Sequence, residues 1–473
     1  MIAELALPPT ALILLPSHRV LVYHLLMRFW RLLCAVPCLL CLVSGFVLQA
    51  EDWPQWLGPQ RDSVWRESGI LKVFPPGGPP IRWRTPIGPG YSGPIIANGR
   101  VYLTDRHVPA PQAAGATAQQ ATGPGGERVL CLDEKDGHLV WKHEYECVYA
   151  VSYPAGPRVA PLVDGAHLYT LGAEGNLFCL NATDGKVVWS RELKKDFGIK
   201  APLWGFAGHP LVERNKLICL VGGAGSTVVA FDKLTGRELW RALTAAEPGY
   251  SSPMIFEAGG KRQLIQFHPE AANGLDPETG DVYWSVPFKS DSGLSVASPR
   301  KLGELLFFTS FYNGSLMLRL DGQKPEATVA WKTAKASEKN TTHLNAIIPT
   351  PFLEDGNIYG ICSYGQLRCL KAETGERLWE TLKVTSPSGE PVRWANAFLV
   401  KNGDRFFLFN EKGDLIIARL TPQGYEEISP AHLIDPVNGD PGRKVVWSHP
   451  GFADRCVFVR NDREVLCADL QAQ

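Results

Sequence analysis

The chain has 473 residues, with 48 basic and 48 acidic side chains and a formal net charge of zero. This balance argues against a nucleic-acid binder, which ordinarily carries a basic surplus, and against a polybasic membrane patch. The 46 glycines, 37 prolines and 14 tryptophans are typical of an all-β protein with many short strands.

The first 50 residues predict a secretory signal peptide. Arg28 and Arg31 give a basic start, residues 32–47 form an apolar run, and Ala50 offers a small residue for cleavage. The run is shorter than the roughly 20 residues that span a bilayer. A start at Met27 would give a signal of more ordinary length. We therefore expect an exported protein, periplasmic or associated with the cell envelope, with no transmembrane segment after cleavage.

Residues 51–80 predict a leader rich in tryptophan, with the sequence DWPQWLGPQRDSVW from Asp52 to Trp65. We expect it to lie outside the main fold and to pack its tryptophans on that fold. A strand-like segment, IRWRTPI around Trp83, follows the leader.

Tryptophan recurs along the rest of the chain after an Asp-Gly, Thr-Gly or similar turn, as in DPETGDVYW and KAETGERLW. The intervals between successive tryptophans are 48, 51, 44, 47 and 48 residues. These structural tryptophans are Trp141, Trp189, Trp240, Trp284, Trp331 and Trp379. In a seventh unit Ile428 stands at the same spacing. We expect each indole to pack between neighbouring repeat units, where its large area matters most.

A second register lies upstream, where a proline opens an apolar run in each unit. The positions are Pro94, Pro161, Pro210, Pro253, Pro299, Pro351, Ala397 (in place of proline) and Pro450. Each of these eight units contains about four strand-sized pieces separated by turns. Residues 81–473 therefore predict an eight-bladed β-propeller of four-stranded antiparallel blades.

The first spacing is 67 residues, against 43 to 53 for the others. The additional residues form a low-complexity segment of Ala, Gly, Pro and Gln at 107–127, which we interpret as a flexible surface loop. The eighth unit, by contrast, ends at Leu470 after its third strand. The Trp83 segment should supply its fourth strand, because an open propeller would expose a sheet edge.

Eight of the eleven cysteines follow the predicted signal, in a chain expected to reach an oxidising compartment where disulfides can form. Four of them occupy one repeated strand position: Cys131, Cys179, Cys369 and Cys467. This position suits a small apolar residue, and core packing is our preferred interpretation.

These repeats resemble the quinoprotein-type (PQQ-like) propeller repeat, a strand followed by A-x-D-x-x-T-G-x-x-x-W, over nearly all of residues 81–470. The leader resembles the W-P-x-W-R-G-P-x-R-D-G segment of exported PQQ-like proteins of planctomycete-type bacteria. Leu57 and Ser63 replace its usual Arg and Gly.

The resemblance implies one of two functions. In PQQ-dependent dehydrogenases the quinone and a calcium ion lie on the propeller axis, whereas BamB is a non-catalytic scaffold of outer-membrane protein assembly. The chain has no adjacent cysteine pair, no haem-attachment motif and no long insertions. We therefore expect a BamB-like scaffold that binds a protein or carbohydrate, without catalytic residues, cofactor or metal. The alternative is an oxidoreductase that holds PQQ and calcium with Trp204, Trp394, Asn345 and Asn396.

Residues close to the aligned prolines should lie near the axis, where a funnel could bind a ligand. The candidates are Tyr91, Tyr153, Arg158, Trp204, His209, Tyr250, His343, Asn345, Trp394, Asn396 and His449. They could equally cap strand ends. Three of them (His209, His343 and His449) would form a metal site only if they met across a narrow axis, and hydrogen-bonded histidines are the favoured interpretation.

Overall fold

The computed structural model describes residues 51–107, 125–440 and 443–472. The predicted signal and residues 108–124 of the predicted loop lie outside these ranges. The described chain forms eight four-stranded antiparallel sheets and one two-stranded hairpin. The eight sheets are arranged in a ring, which confirms the predicted eight-bladed β-propeller.

Each blade runs from an inner strand near the axis to a more exposed outer strand. The inner strands of blades 1 to 8 are β2 (Ile95–Ala97), β6 (Leu162–Asp164), β10 (Leu211–Glu213), β14 (Met254–Ala258), β18 (Arg300–Leu302), β22 (Phe352–Glu354), β26 (Ala397–Asn402) and β32 (Gly451–Ala453). The second strands are β3 (Arg100–His107), β7 (His167–Leu171), β11 (Lys216–Leu220), β15 (Lys261–His268), β19 (Leu305–Ser310), β23 (Asn357–Ile361), β27 (Arg405–Asn410) and β33 (Cys456–Arg460).

The remaining strands complete the blades in the same order. The third strands are β4 (Gly126–Asp133), β8 (Asn176–Asn181), β12 (Val228–Asp232), β16 (Ala271–Leu275), β20 (Gly314–Leu320), β24 (Leu367–Lys371), β28 (Asp414–Thr421) and β34 (Glu464–Asp469). The outer strands are β5 (Leu139–Glu146), β9 (Val187–Glu192), β13 (Glu238–Ala242), β17 (Val282–Pro287), β21 (Ala327–Lys332), β25 (Arg377–Thr381), β29 (Gly424–His432) and, in blade 8, β1 (Ile81–Pro86).

Elements outside the blades are few. They are the hairpin β30 (Asn438–Asp440) and β31 (Arg443–Val445), helix α1 (Leu193–Phe197) and a 3₁₀ turn (Asp291–Gly293). Across the described residues, no helix has the length and apolar character needed to cross a membrane.

The ring closes as the sequence predicts, with β1 antiparallel to β34. Trp83 lies opposite Cys467 in this pairing. The same pairing occurs inside other blades, for example between Trp141 and Cys131. The chain therefore joins its N-terminal strand to its last blade and leaves no open blade edge at the point of closure.

Most blade tryptophans bind the next blade through the indole N–H. Trp83 donates to the Glu134 carbonyl of blade 1, and Trp141 donates to the Ala182 carbonyl of blade 2. The ring of Trp83 also covers Gly137, where an added Cβ would lie 2.4 Å from the indole. The glycine of each turn is therefore required for this close approach as well as for its positive φ.

Two blades depart from this pattern. Trp284 donates to the Gln263 side chain of its own blade, and the corresponding turn of the next blade lacks the Thr-Gly pair. In blade 7 the bulge falls at Ile428, so that Ser429 occupies the tryptophan position instead of Ile428. The hydroxyl of Ser429 accepts a hydrogen bond from the backbone N–H of Phe74 in the leader.

Each inner strand begins directly after its aligned proline or, in blade 7, at Ala397 itself.

All eight cysteines of the described chain are buried thiols. The ends of the predicted 107–127 loop are strand residues, since β3 extends to His107 and β4 begins at Gly126.

Candidate functional site

A cavity of about 260 Å³ lies where the entries to the inner strands converge. Its wall contains one residue from every blade, each three positions before the aligned proline or Ala397. These eight residues are Tyr91, Arg158, Ala207, Tyr250, Val296, Ile348, Trp394 and Trp447. Because the inner strands surround the axis, the same position in each unit faces the same space.

The wall is asymmetric in its chemistry. Blades 7, 8 and 1 contribute Trp394, Trp447 and Tyr91, whereas blades 5 and 6 contribute Val296 and Ile348. Loop residues extend both sides, with aromatic Tyr153, Trp204 and Tyr312 and aliphatic Leu294 and Ile347. An apolar group in the cavity would therefore lie between aromatic rings and branched aliphatic side chains.

Among the described residues that line this cavity, Arg158 is the one with a charged side chain, and its hydrogen bonds go to backbone carbonyls. Its Nε donates to Trp204 at 2.9 Å, and its Nη2 donates to Ser152 at 2.7 Å and Tyr153 at 2.6 Å. The guanidinium also lies 5.2 Å from the ring centroid of Tyr91. Arg158 thus holds together the two loops that carry Tyr153 and Trp204.

Two aromatic residues of the wall have left-handed backbone conformations. Tyr153 has φ of 55° and Trp394 has φ of 64°. Such conformations cost about 1–3 kcal/mol for bulky residues and occur where the surrounding structure imposes them, often at binding sites. The Arg393 guanidinium lies 4.3 Å from the Trp394 ring and pairs with Glu338, which fixes one face of the indole.

The floor is built from residues directly before the aligned prolines. The backbone N–H of His209 donates to the Ser252 hydroxyl at 3.0 Å, and the His209 and His449 rings lie 5.9 Å apart. Burial lowers the pKa of His449 to about 4 and places the pKa of His209 well below its usual value. Both imidazoles are therefore neutral at pH 7.

The centre of the floor comes from the leader. Trp56 stacks on His209 at a centroid distance of 4.3 Å, and its indole N–H donates to the Ser298 hydroxyl at 3.2 Å. The side chain of Arg61 donates to the Pro210 carbonyl at 3.0 Å, and burial lowers its pKa to about 9. The leader therefore enters the axial channel, whereas the sequence analysis predicted that it would lie outside the main fold.

Eight of the eleven predicted funnel residues line the cavity: Tyr91, Tyr153, Arg158, Trp204, His209, Tyr250, Trp394 and His449. The other three lie elsewhere. His343 stacks on Trp331 at 4.9 Å, while the side-chain amides of Asn345 and Asn396 donate to backbone carbonyls.

No metal site is formed by the three predicted histidines, because His343 does not meet the other two. One group of ligand-type atoms does meet within the described part of the chain, formed by Asp133, Asp136 and His138. It lies in a surface turn of blade 1, where Asp133 and Asp136 accept hydrogen bonds from nearby backbone N–H groups. These contacts are those of ordinary turn-forming aspartates.

The cavity does not suit a calcium-bound quinone. Calcium takes 6–8 oxygen ligands, commonly including carboxylates, and the lining contains neither Asp nor Glu among the described residues. Asn345 and Asn396, which the sequence offered as ligands, do not line the cavity. The indole of Trp56 fills the axial floor.

Sequence reasoning missed several lining residues. Trp447, Val296 and Ile348 share the position three residues before the proline, so the repeat alignment could have identified them. Trp56 and Tyr312 occupy no repeated position, and no comparable signal marks them.

A family model described as outer membrane protein assembly factor BamB matches residues 125–381, more than half of the chain. No curated protein matches the sequence. Among solved structures, BamB from Moraxella catarrhalis is 15% identical with a TM-score of 0.52, covering 82% of this chain and 97% of that one.

Two enzymes share the architecture at similarly low identity. The quinohemoprotein alcohol dehydrogenase from Comamonas testosteroni is 12% identical with a TM-score of 0.59, covering 89% of this chain and 81% of that one. A europium-containing methanol dehydrogenase is 12% identical with a TM-score of 0.56, covering 86% and 89%. These structural similarities concern the fold alone. The family match shows that the chain belongs to the PQQ-like propeller family described as outer membrane protein assembly factor BamB.

Proposed function

We propose that this chain is a non-catalytic, envelope-associated scaffold that binds a protein partner by accepting an apolar side chain in the axial cavity. The composition of the residues that line the cavity is the observation that supports this proposal. Nine of these eighteen residues are Phe, Tyr or Trp, and none of the described lining residues is Asp, Glu, Lys or Cys. A wall of this composition offers mainly apolar contact area. Its two histidines are buried in the floor, where His209 stacks on Trp56 and bonds Ser252, and no carboxylate among the described lining residues orients either imidazole as a catalytic base.

The rim of the cavity favours a protein over a carbohydrate. Val148 is 63% exposed and Leu203, next to Trp204, is 55% exposed. A hydrogen bond from the Ser152 N–H to the Leu203 carbonyl joins the two loops that carry them. Because this bond brings the two loops together, we expect the two side chains to form exposed apolar area beside Trp204, and contiguous area of this kind is typical of protein interaction surfaces. A sugar ring would leave most of its hydroxyl groups without partners against this wall.

The size of the cavity supports the same conclusion. Ligand pockets usually measure about 300–1,000 Å³, and this cavity measures about 260 Å³. It therefore suits one large side chain better than an extended ligand. Burial of one aromatic side chain contributes about 2–3 kcal/mol, which corresponds to a millimolar or weaker affinity for an isolated side chain.

We expect the blocked tripeptide Ac-Gly-Trp-Gly-NH₂ to bind in saturation-transfer NMR, whereas Ac-Gly-Ser-Gly-NH₂ and maltotriose do not. Trp394→Gly should weaken this binding at least fivefold without lowering the melting temperature, because glycine tolerates the positive φ that strains tryptophan. Leu234→Ala is the matched control, since Leu234 is an exposed leucine in a blade 3 turn. Preferential binding of maltotriose, or equal peptide binding by Trp394→Gly, would contradict the proposal.

A further inference from the structure

We infer that Trp56 of the leader is a specificity-determining residue that sets how deeply a partner's side chain can enter the axial cavity. This inference rests on the proposed function and adds a residue from outside the repeats to the binding site. Its basis is the path of the leader, the contacts of the indole and the space on either side of it.

The leader crosses the axis and contacts inner strands or their entries all around the ring. Its backbone pairs Trp53 with Ile96 of blade 1 and Val64 with Lys401 of blade 7. On the far side of the ring, the Arg300 guanidinium of blade 5 donates to the Arg61 carbonyl at 3.1 Å. Bonds reaching opposite sides of the ring hold the leader at a fixed depth in the channel.

The backbone between these contacts has an unusual shape. Three non-glycine residues, Leu57, Arg61 and Ser63, have positive φ within seven positions. At Gly58 a Cβ would lie 2.8 Å from the Trp53 ring. Because an isolated chain rarely adopts such a conformation, we attribute it to the contacts with the ring. The position of Trp56 is therefore imposed by the fold.

Trp56 is shared by the linings of two spaces, the main cavity and a second space of about 20 Å³. Phe398 and His449 also line both. Phe398 belongs to the inner strand of blade 7 and His449 to the entry of blade 8, whereas Trp56 is the member of this shared wall that the leader supplies. Shortening Trp56 should join the two spaces and lengthen the cavity.

The wall also limits the kind of group that reaches this depth. Trp56 is stacked on one neutral imidazole and lies edge-on to the other, with centroid distances of 4.3 Å to His209 and 4.7 Å to His449. Arg61 lies beside this wall, where its side chain donates to the carbonyls of Pro210, next to His209, and of Pro253. A cationic end group would approach this guanidinium and is disfavoured. Because burying a charge of either sign against neutral rings is costly, we expect the occupant to be an uncharged apolar side chain.

The test uses the full chain and the peptides Ac-Gly-X-Gly-NH₂, where X carries a straight alkyl side chain of about three to about eight carbons. Each methylene that becomes buried raises affinity about fourfold. In the wild-type protein we expect affinity to rise with length and then to stop rising when the side chain reaches Trp56. Trp56→Ala should move this limit to longer side chains, with at least a tenfold affinity gain for the longest peptide.

Trp65→Ala is the control, because Trp65 is a buried leader tryptophan that packs on Phe407 and Phe452 and does not line the cavity. In this control variant, affinity should stop rising at the same side-chain length as in the wild-type protein. If Trp56→Ala does not fold, Trp56→Leu is judged by the same criterion. An unchanged limit in a folded Trp56 variant would overturn the inference. If the wild-type protein binds none of the peptides, the proposed function itself fails.

Discussion

Deleting residues 51–88 should leave a chain that aggregates or melts far below the intact protein. The deletion removes β1, so β34 keeps β33 but loses its other antiparallel partner and becomes an exposed edge prone to association. It also removes Trp83, and loss of a buried tryptophan side chain costs about 3–5 kcal/mol. The buried leader residues Trp53, Trp56 and Trp65 are lost as well. The combined loss rivals the 5–15 kcal/mol that stabilises most domains.

The matched control replaces residues 108–124 with Asn-Gly. His107 and Gly126 are paired across β3 and β4, so a short turn can close this hairpin without disturbing the blade. We expect soluble protein that melts within a few degrees of the parent, as measured by circular dichroism. A 51–88 deletion that melts like the parent protein would show that β1 does not close the ring.

Arg460→Met should lower the free energy of unfolding by about 2–5 kcal/mol, because it removes the donor of hydrogen bonds to buried backbone carbonyls. Arg460 is fully buried in β33 and connects the last blade to the start of the first. Its Nη1 donates to the Thr104 carbonyl at 2.7 Å and its Nη2 donates to the Gly88 carbonyl at 2.6 Å. Methionine fills much of the space but leaves these carbonyls without donors, which costs about 1–3 kcal/mol for each.

Denaturant unfolding of Arg460→Met should be compared with that of Arg463→Met, a change at an exposed arginine in the following turn. We expect the control to change stability by less than about 0.5 kcal/mol. Arg460→Lys should recover only part of the loss, because one ammonium group cannot reproduce the fork of the guanidinium. Equal stability of Arg460→Met and Arg463→Met would show that this side chain does not stabilise the closure.

The fold could be predicted because each repeated position has its own local structural requirement. The proline or Ala397 marks the start of each inner strand, and the turn glycine accommodates both positive φ and the indole of the preceding blade. Counting strands also identified the segment around Trp83 as the fourth strand of blade 8, where the structure pairs Trp83 with Cys467. In blade 7 spacing selected Ile428 instead of Ser429, because this blade has a shorter turn, with Thr421 paired to Gly424, and spacing alone does not reveal the length of a turn.

The site was less accessible to sequence analysis. Residues near the aligned prolines include both side chains that face the axis and side chains that cap strands, as Trp394 and Asn396 illustrate. Only the three-dimensional arrangement separates the two sets. Trp56 contacts residues more than 150 positions away, such as His209, and no periodicity constrains a contact of that kind.

The axial cavity should accept an apolar side chain and should not accept a quinone. Titration of the purified full chain with PQQ and calcium, followed by tryptophan fluorescence and melting temperature, tests this claim directly, because Trp204, Trp394 and Trp447 all line the cavity. We expect no saturable fluorescence change and no rise in melting temperature. Saturable quenching with a stabilised protein, accompanied by dye-linked alcohol or sugar oxidation, would contradict the account.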